Sequence, residues 1–243
     1  MRFVLATGNR HKLGEYRAIL APHEVEPMPA GVELPPEGTV SFEENARAKA
    51  VALARALLAR PASTERDGEQ PADGAGAQRA ERATGPRAGG PIVVIADDSG
   101  IEVAALGGRP GVVSARYAGV DGDDAANNAR LLAELAALRG DEARAARFVC
   151  VIAFVVLPLE TASQDDSLGS TLALATEAAR GEWPGAIAPE LHGGGGFGYD
   201  PLFVPDGRTR TVAQMSEADK NDESHRARAA RALLARLSEA GLA

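Results

Sequence analysis

The sequence predicts an α/β fold, with helices packed on a β-sheet, and three observations lead there. Short apolar runs alternate along the chain with longer stretches whose apolar residues recur at helical spacing. Residues 91–96 form a strongly β-branched run, and residues 148–157 a long apolar one, each of which reads as a buried strand. The chain has 243 residues, 45% of them hydrophobic and 25% charged, enough to bury a sizeable core without disulfide or metal staples.

In order, residues 2–6 read as a short buried strand and 9–20 as a helix, because Leu13, Tyr16 and Leu20 fall on one helical face. A second helix over 41–59 sets Ala46, Ala50, Leu53 and Leu57 on one side. The strand at 91–96 follows, then a helix over 123–138, the strand at 148–157, a further strand at 171–179, and an amphipathic helix over 224–240 rich in Ala, Leu and Arg. Two polar segments interrupt the alternation. Residues 61–90 contain almost no large apolar side chain and read as a disordered insertion, since burial there cannot offset the entropy of ordering. Residues 161–169 form a shorter polar loop. The remainder is expected to be one domain over 1–243.

Composition narrows the function classes. No apolar run approaches the roughly 20 residues of a membrane helix. The start, Met1 to Gly8, has too short an apolar stretch for a secretion signal, so the expected location is the cytoplasm. The single cysteine, Cys150, lies inside the longest apolar run and reads as a small core residue. A net charge of −8 argues against binding nucleic-acid backbones, although a local group of cations can still hold a small phosphate ligand. Of 26 basic residues only Lys12, Lys49 and Lys220 are lysine, and in an arginine-rich background each marks a place for a compact ammonium.

All three lysines fall in polar motifs. Thr7-Gly8-Asn9-Arg10-His11-Lys12 joins the first strand to the first helix, where free backbone N–H groups and the helix dipole favour an anion; a plainly capped helix would use Asn9 in the same way. The motif lacks the G-x-x-x-x-G-K-[ST] pattern of a P-loop. Ser41 and Glu44 fit a capping box, and Asn45 and Lys49, four apart, share a face; Glu44 could instead offer oxygens to a divalent ion. Asp97-Asp98-Ser99-Gly100 ends the most strand-like run, where ligands gather in open α/β sheets. Adjacent strand residues point to opposite sides, so the two carboxylates should differ in role. A glycine-rich loop with Arg116 and Tyr117 near its end follows. Residues 193–196 are four glycines, after which Phe197 and Tyr199 offer a stacking platform for a base, in a chain with only 4% aromatics. Lys220, Ser224, His225 and Arg226 bring an ammonium, an imidazole and a guanidinium to the mouth of the last helix.

The motifs ATGNRHK, FEENARAKA, ADDSGIEVAALGGRPGVVSARYAG, FGYDPLF and K-x-x-x-SHR occur in this order over nearly the whole chain. In that combination the sequence resembles the inosine triphosphatase, or Ham1-like, family of purine nucleoside-triphosphate pyrophosphatases. The resemblance implies a twisted mixed sheet flanked by helices, in two lobes with a central nucleotide cleft, and a homodimer. It implies hydrolysis of ITP, dITP and XTP to monophosphate and pyrophosphate, with Mg2+ as cofactor. By motif position Asp98 would be the general base and, with Glu44, a magnesium ligand. Thr7, Gly8, Asn9, Arg10, His11 and Lys12 would hold the triphosphate and Ser99 would touch substrate. Phe197, Gly198, Tyr199, Asp200, Lys220, His225 and Arg226 would line the nucleotide pocket. A pyrophosphatase for other modified nucleotides and a nucleotide-sensing module without catalysis stay open at this point. A single-strand nucleic-acid binder conflicts with the net charge.

Overall fold

The two strongest apolar runs become the two longest strands, and everything else is arranged on them. The structure, a computed structural model, describes residues 1–59, 91–136, 138, 144–157 and 176–242. The insertion expected at 61–90 and the polar loop at 161–169 lie outside the described residues. The strands are β1 (Arg2–Leu5), β2 (Glu24–Pro27), β3 (Ile92–Val103), β4 (Ala145–Leu157), β5 (Glu177–Ile187) and β6 (Phe203–Pro205). They form one six-stranded sheet in the order β2-β1-β3-β4-β5-β6. β1 runs parallel to β2 and β3, and every later neighbour is antiparallel, so the sheet is mixed as expected.

Helices α1 (Arg10–Ile19), α2 (Phe42–Leu58), α3 (Asp124–Ala136), α4 (Glu217–Glu223) and α5 (His225–Glu239) cover the sheet. The period-two alternation of the strands divides the core into two faces. Phe3, Leu5, Val93, Ile95, Cys150 and Ile152 pack with Tyr16 of α1, with Leu20 at its C-terminal cap, and with Leu233 and Leu237 of α5. Their neighbours Val4, Val94, Ala96, Val151 and Ala153 point the other way, beneath Phe42, Ala46, Ala50 and Leu53 of α2. Farther along the same strands, Ile101, Val103, Phe148 and Trp183 join Leu131 and Leu135 of α3 in a third cluster. The long strands therefore bear two lobes, and Asp97 to Gly100 lie between them.

The run expected to end at residue 96 continues to Val103, because β4 pairs with it throughout: Asp97 stands opposite Ile152 and Asp98 opposite Val151. The carboxylates are thus mid-strand rather than at a strand end. β1 stops at Leu5, opposite Ile95. Beyond that point the other edge of β3 is left to loops, until Ile101 N donates to Ser114 Oγ at 2.9 Å and Val103 N to the Arg109 carbonyl at 3.2 Å. The strand expected at 171–179 is β5, displaced toward the C-terminus; residues 171–175 lie outside the described residues. Gly181, Pro184 and Gly185 hide β5 from a propensity reading, since Gly and Pro are depleted in strands. Gly181 has a packing reason: a Cβ there would collide with the backbone of Ala229 and His225 on α5. Gly181→Ala should therefore lower unfolding stability by about 1–3 kcal/mol, the range for overpacking a tight contact. Urea denaturation checks this, and a variant as stable as the parent would show that α5 does not press on β5.

Candidate active site

Asp97 and Asp98 leave β3 on opposite faces, and each meets a different set of partners. Asp97 points toward α1 and α5 and is 1% exposed. Lys12 Nζ lies 2.9 Å from its Oδ2 and Arg226 Nε 3.5 Å away. Burial alone would raise its pKa, but Lys12, Arg226 and Lys49 outweigh it and hold the carboxyl at about 2. Asp98 points toward α2 and is 4% exposed. Its Oδ2 accepts from Asn45 Nδ2 at 2.8 Å and its Oδ1 from the Ser99 N–H at 3.0 Å. Burial pushes this carboxyl up to about 6 despite the pull of Lys49, with Glu37 adding to the rise. One pair of adjacent aspartates is thus split into a fixed anion and a group able to exchange a proton near neutrality.

Lys49 ties the two together. Its ammonium donates to Glu37 Oε1 at 2.8 Å and to the Asp97 carbonyl at 2.7 Å, and stands 3.9 Å from Asp98 Oδ1. Asn45 and Lys49, set on one face by their helical spacing, both reach Asp98, and Lys49 braces the acidic centre. Arg116 joins the glycine-rich loop to the same corner by donating to the Gly38 carbonyl at 3.0 Å.

On the other face, α1 begins at Asn9, whose side chain accepts from the N–H groups of His11 at 2.9 Å and Lys12 at 3.2 Å. Thr7, Gly8 and Arg10 form the half-exposed to exposed turn above Lys12. Arg226 donates to Ser99 Oγ at 2.8 Å and to Glu15 Oε2 at 3.0 Å. Lys220 contacts Glu15 at 2.7 Å and donates to Asp200 Oδ2 at 2.6 Å. Asp200 Oδ2 also accepts the Phe197 N–H at 2.9 Å, and Gly196, at φ +72°, sits where a Cβ would run into that carboxylate. Gly198 donates its N–H to Asp124 Oδ2 at 2.7 Å and accepts from Asn128 at 2.9 Å, which fixes the loop to α3. The Phe197 ring lies under Lys220 and Arg226, 4.7 and 5.1 Å from its centroid, and stacks on His11 at 5.5 Å. His225 is buried and stacked on Phe148 at 4.7 Å. Burial, then Arg226, Lys220 and Lys12, drive its pKa well below the usual histidine value, so the imidazole is neutral.

Lys12, Ser99, Phe197, Asp200, Lys220 and Arg226 therefore meet in one continuous network around Asp97. Two expectations need correction. Tyr199 is no stacking platform: it is 4% exposed in the α3-side core, and its hydroxyl donates to the Ser114 carbonyl at 2.9 Å. Glu44, expected to be a magnesium ligand with Asp98, is not among the partners of Asp98 or Lys49. It is exposed in the first turn of α2 and lines a cavity of about 520 Å³ with Glu102 and Arg180. The carboxylate beside Asp98 is Glu37, which the sequence reading missed because it lies in the irregular stretch Pro35-Pro36-Glu37-Gly38. Glu15 was missed too, although its place three residues after Lys12 puts both on one face of α1.

Among the described residues no group of three or more His, Cys, Asp or Glu side chains is close enough to hold a metal ion unaided. Asp98 and Glu37, both within reach of Lys49, still suit magnesium, which takes one or two carboxylates and completes its shell with water and substrate phosphates.

Comparison with known proteins gives a consistent result. A profile described as the Ham1 family matches residues 3–236. The dITP/XTP pyrophosphatase of Mycobacterium tuberculosis is 41% identical over 244 residues, covering 96% of this chain and 93% of that protein. The protein of the same description from Nocardia farcinica is 42% identical over 248 residues, with 98% and 95% covered. Among solved structures, the Staphylococcus aureus Ham1 protein superposes with a TM-score of 0.68 at 32% identity, covering 99% of this chain and 100% of its own. The dITP/XTP pyrophosphatase from Mycobacterium abscessus gives 0.61 at 34% identity, with 96% and 99% covered.

The buried ion pairs of Asp97 make an acid-stability prediction. Its folded pKa of about 2 lies below the ordinary 3.8, so its stabilisation is present above about pH 4 and is lost as pH falls toward 2. At ~1.4 kcal/mol per pH unit that amounts to roughly 2 kcal/mol. Asp97→Asn should lose about 3–5 kcal/mol at pH 7, where Lys12 and Arg226 are left facing an uncharged group, and should show a flatter loss between about pH 4 and 2. Urea unfolding across that range is the check, and an unchanged acid slope would dissociate Asp97 from it.

Proposed function

The chain belongs to the Ham1 family, and we propose that it hydrolyses non-standard purine nucleoside triphosphates, ITP, dITP and XTP, to the monophosphate and pyrophosphate. It would do so in the cytoplasm, as a homodimer of single-domain chains, removing these compounds from the nucleotide pool. Among the described residues no helix is long and apolar enough to cross a membrane. The observation that supports the reading best is Asp98: a buried carboxylate raised to about 6, next to a face lined with cations.

The reaction adds water at the α-phosphorus and breaks the bond from that phosphorus to the bridging oxygen of the β-phosphate. Asp98 takes the proton of the attacking water and afterwards returns it to solvent; the electron pair of the broken bond leaves on pyrophosphate. Lys12 and the N-terminus of α1 hold the triphosphate, with Thr7 to His11 shaping the turn. Bound Mg2+, held by Asp98 and Glu37, would neutralise charge on the triphosphate and the departing pyrophosphate. Asn45 and Lys49 keep Asp98 oriented. At the other end, Phe197 offers a ring face, while Lys220, Arg226 and neutral His225 offer donors and Asp200 holds Lys220 in place. A donor aimed at a 6-oxo group accepts hypoxanthine or xanthine and leaves adenine's 6-amino group facing another N–H.

A substrate panel of ITP, dITP, XTP, dUTP, ATP and GTP, run with Mg2+ and with a chelator, tests the reading. Chromatography should show monophosphate and pyrophosphate, preferentially from the first three, only with the metal. Release of single phosphates, or tight ITP binding without products, would refute it. Asp98→Asn should reduce kcat by ~10²–10⁴-fold. Because burial disfavours ionised Asp98, the variant should unfold no earlier than the parent at pH 7. Lost activity together with early unfolding would count against the base assignment.

A further inference from the structure

The chain has six Phe, three Tyr and one Trp. Every one is buried except Phe197, which is half-buried beside the site's cations. A base entering this cleft has one aromatic surface to stack on, and the His11 ring rests on it. The two rings are 5.5 Å apart between centroids at 27°. The imidazole, planar and aromatic, has the shape of the smaller ring of a purine, and its distance and tilt are those of an offset stack.

His11 and Lys12 are consecutive on α1, so their side chains leave the helix roughly 100° apart. Lys12 goes down to Asp97 at 2.9 Å, whereas His11 goes across to the Phe197 loop. The His11 backbone N–H donates to Asn9 Oδ1 at 2.9 Å, which places His11 in the first turn of α1, within reach of that loop. Within Thr7 to Lys12, then, one residue is placed for the other end of the ligand.

We propose that His11 belongs to the base pocket and acts there as an internal competitor: its ring covers the stacking surface of Phe197 and must leave before a purine can use it. The proposal rests on the nucleotide reading above. Gly193 and Gly196, at φ of +82° and +72°, let the loop before Phe197 pass close to Ala213 and Asp200, which sets where the Phe197 ring stands against His11. Because His11 is exposed on a helix surface, its replacement by alanine leaves the core untouched.

The test compares His11→Ala and His11→Phe with the parent, reading KM for ITP and the inhibition constant of inorganic tripolyphosphate, which has no base. Removing the competitor should lower KM for ITP about threefold to tenfold, the size expected for one aromatic stack, while the tripolyphosphate constant changes less than twofold. His11→Phe, which keeps a ring on Phe197, should leave KM at or above the parent value. A KM for ITP that rises in His11→Ala would make His11 a clamp on the base and overturn competition. An equal loss for ITP and tripolyphosphate would return it to the phosphate site, and an unchanged KM would remove it from the pocket. If the parent does not turn over ITP at all, the nucleotide reading itself fails, a result distinguishable from all of these.

Discussion

A carboxylate taken out of water must meet cations or hydrogen-bond donors, and this chain buries two of them side by side in the middle of a strand. The surroundings follow from that requirement. Lys12 and Arg226 converge on Asp97 from α1 and α5, and Asn45 and Lys49 reach Asp98 from α2. Glu15 and Glu37 then occupy the remaining hydrogens of those cations. Three helices that begin at distant points of the sequence are thereby brought with their first turns toward one stretch of β3. The same demand gives the two aspartates unequal acidity, since the cations concentrate on one face and burial dominates on the other.

The cations gathered here are also neutralised by carboxylates of the same chain. Lys12, Lys220 and Arg226 all have carboxylate partners. Under the nucleotide reading proposed above, a polyphosphate would exchange for these contacts, so its net gain would be a difference between two sets of ion pairs. Each cation is held by its partner, and removing one member of such a buried pair leaves an uncompensated charge.

Much of this was legible beforehand, for identifiable reasons. The helices α1, α2, α3 and α5 were found because apolar spacing and Ser or Asn caps mark them locally, and β4 because its apolar run is long. β3 was cut short at residue 96 because two aspartates, a serine and a glycine resemble a turn; only the facing strand β4 makes them extended. β2, β6 and α4 are too short to create a pattern. In the site, Lys12, Phe197, Lys220 and Arg226 lie in dense motifs and meet in the network around Asp97, whereas Asp98 faces α2. Glu37 escaped because its role depends on where an irregular loop crosses the sheet, which periodicity does not encode. Glu44 drew attention through the motif around it, yet its direction on α2 takes it away from Lys49.

The lysine distribution has a practical side. The chain's entire complement of ε-amino groups is Lys12, Lys49 and Lys220, with side chains only 15%, 8% and 9% exposed. An amine-directed dye, biotinylation reagent or coupling resin therefore meets almost no reactive nitrogen on the outer surface apart from the chain's first residue. Whatever slower labelling occurs beyond it falls inside the cleft, so the extent of acylation would report on occupancy of the interior rather than on surface area.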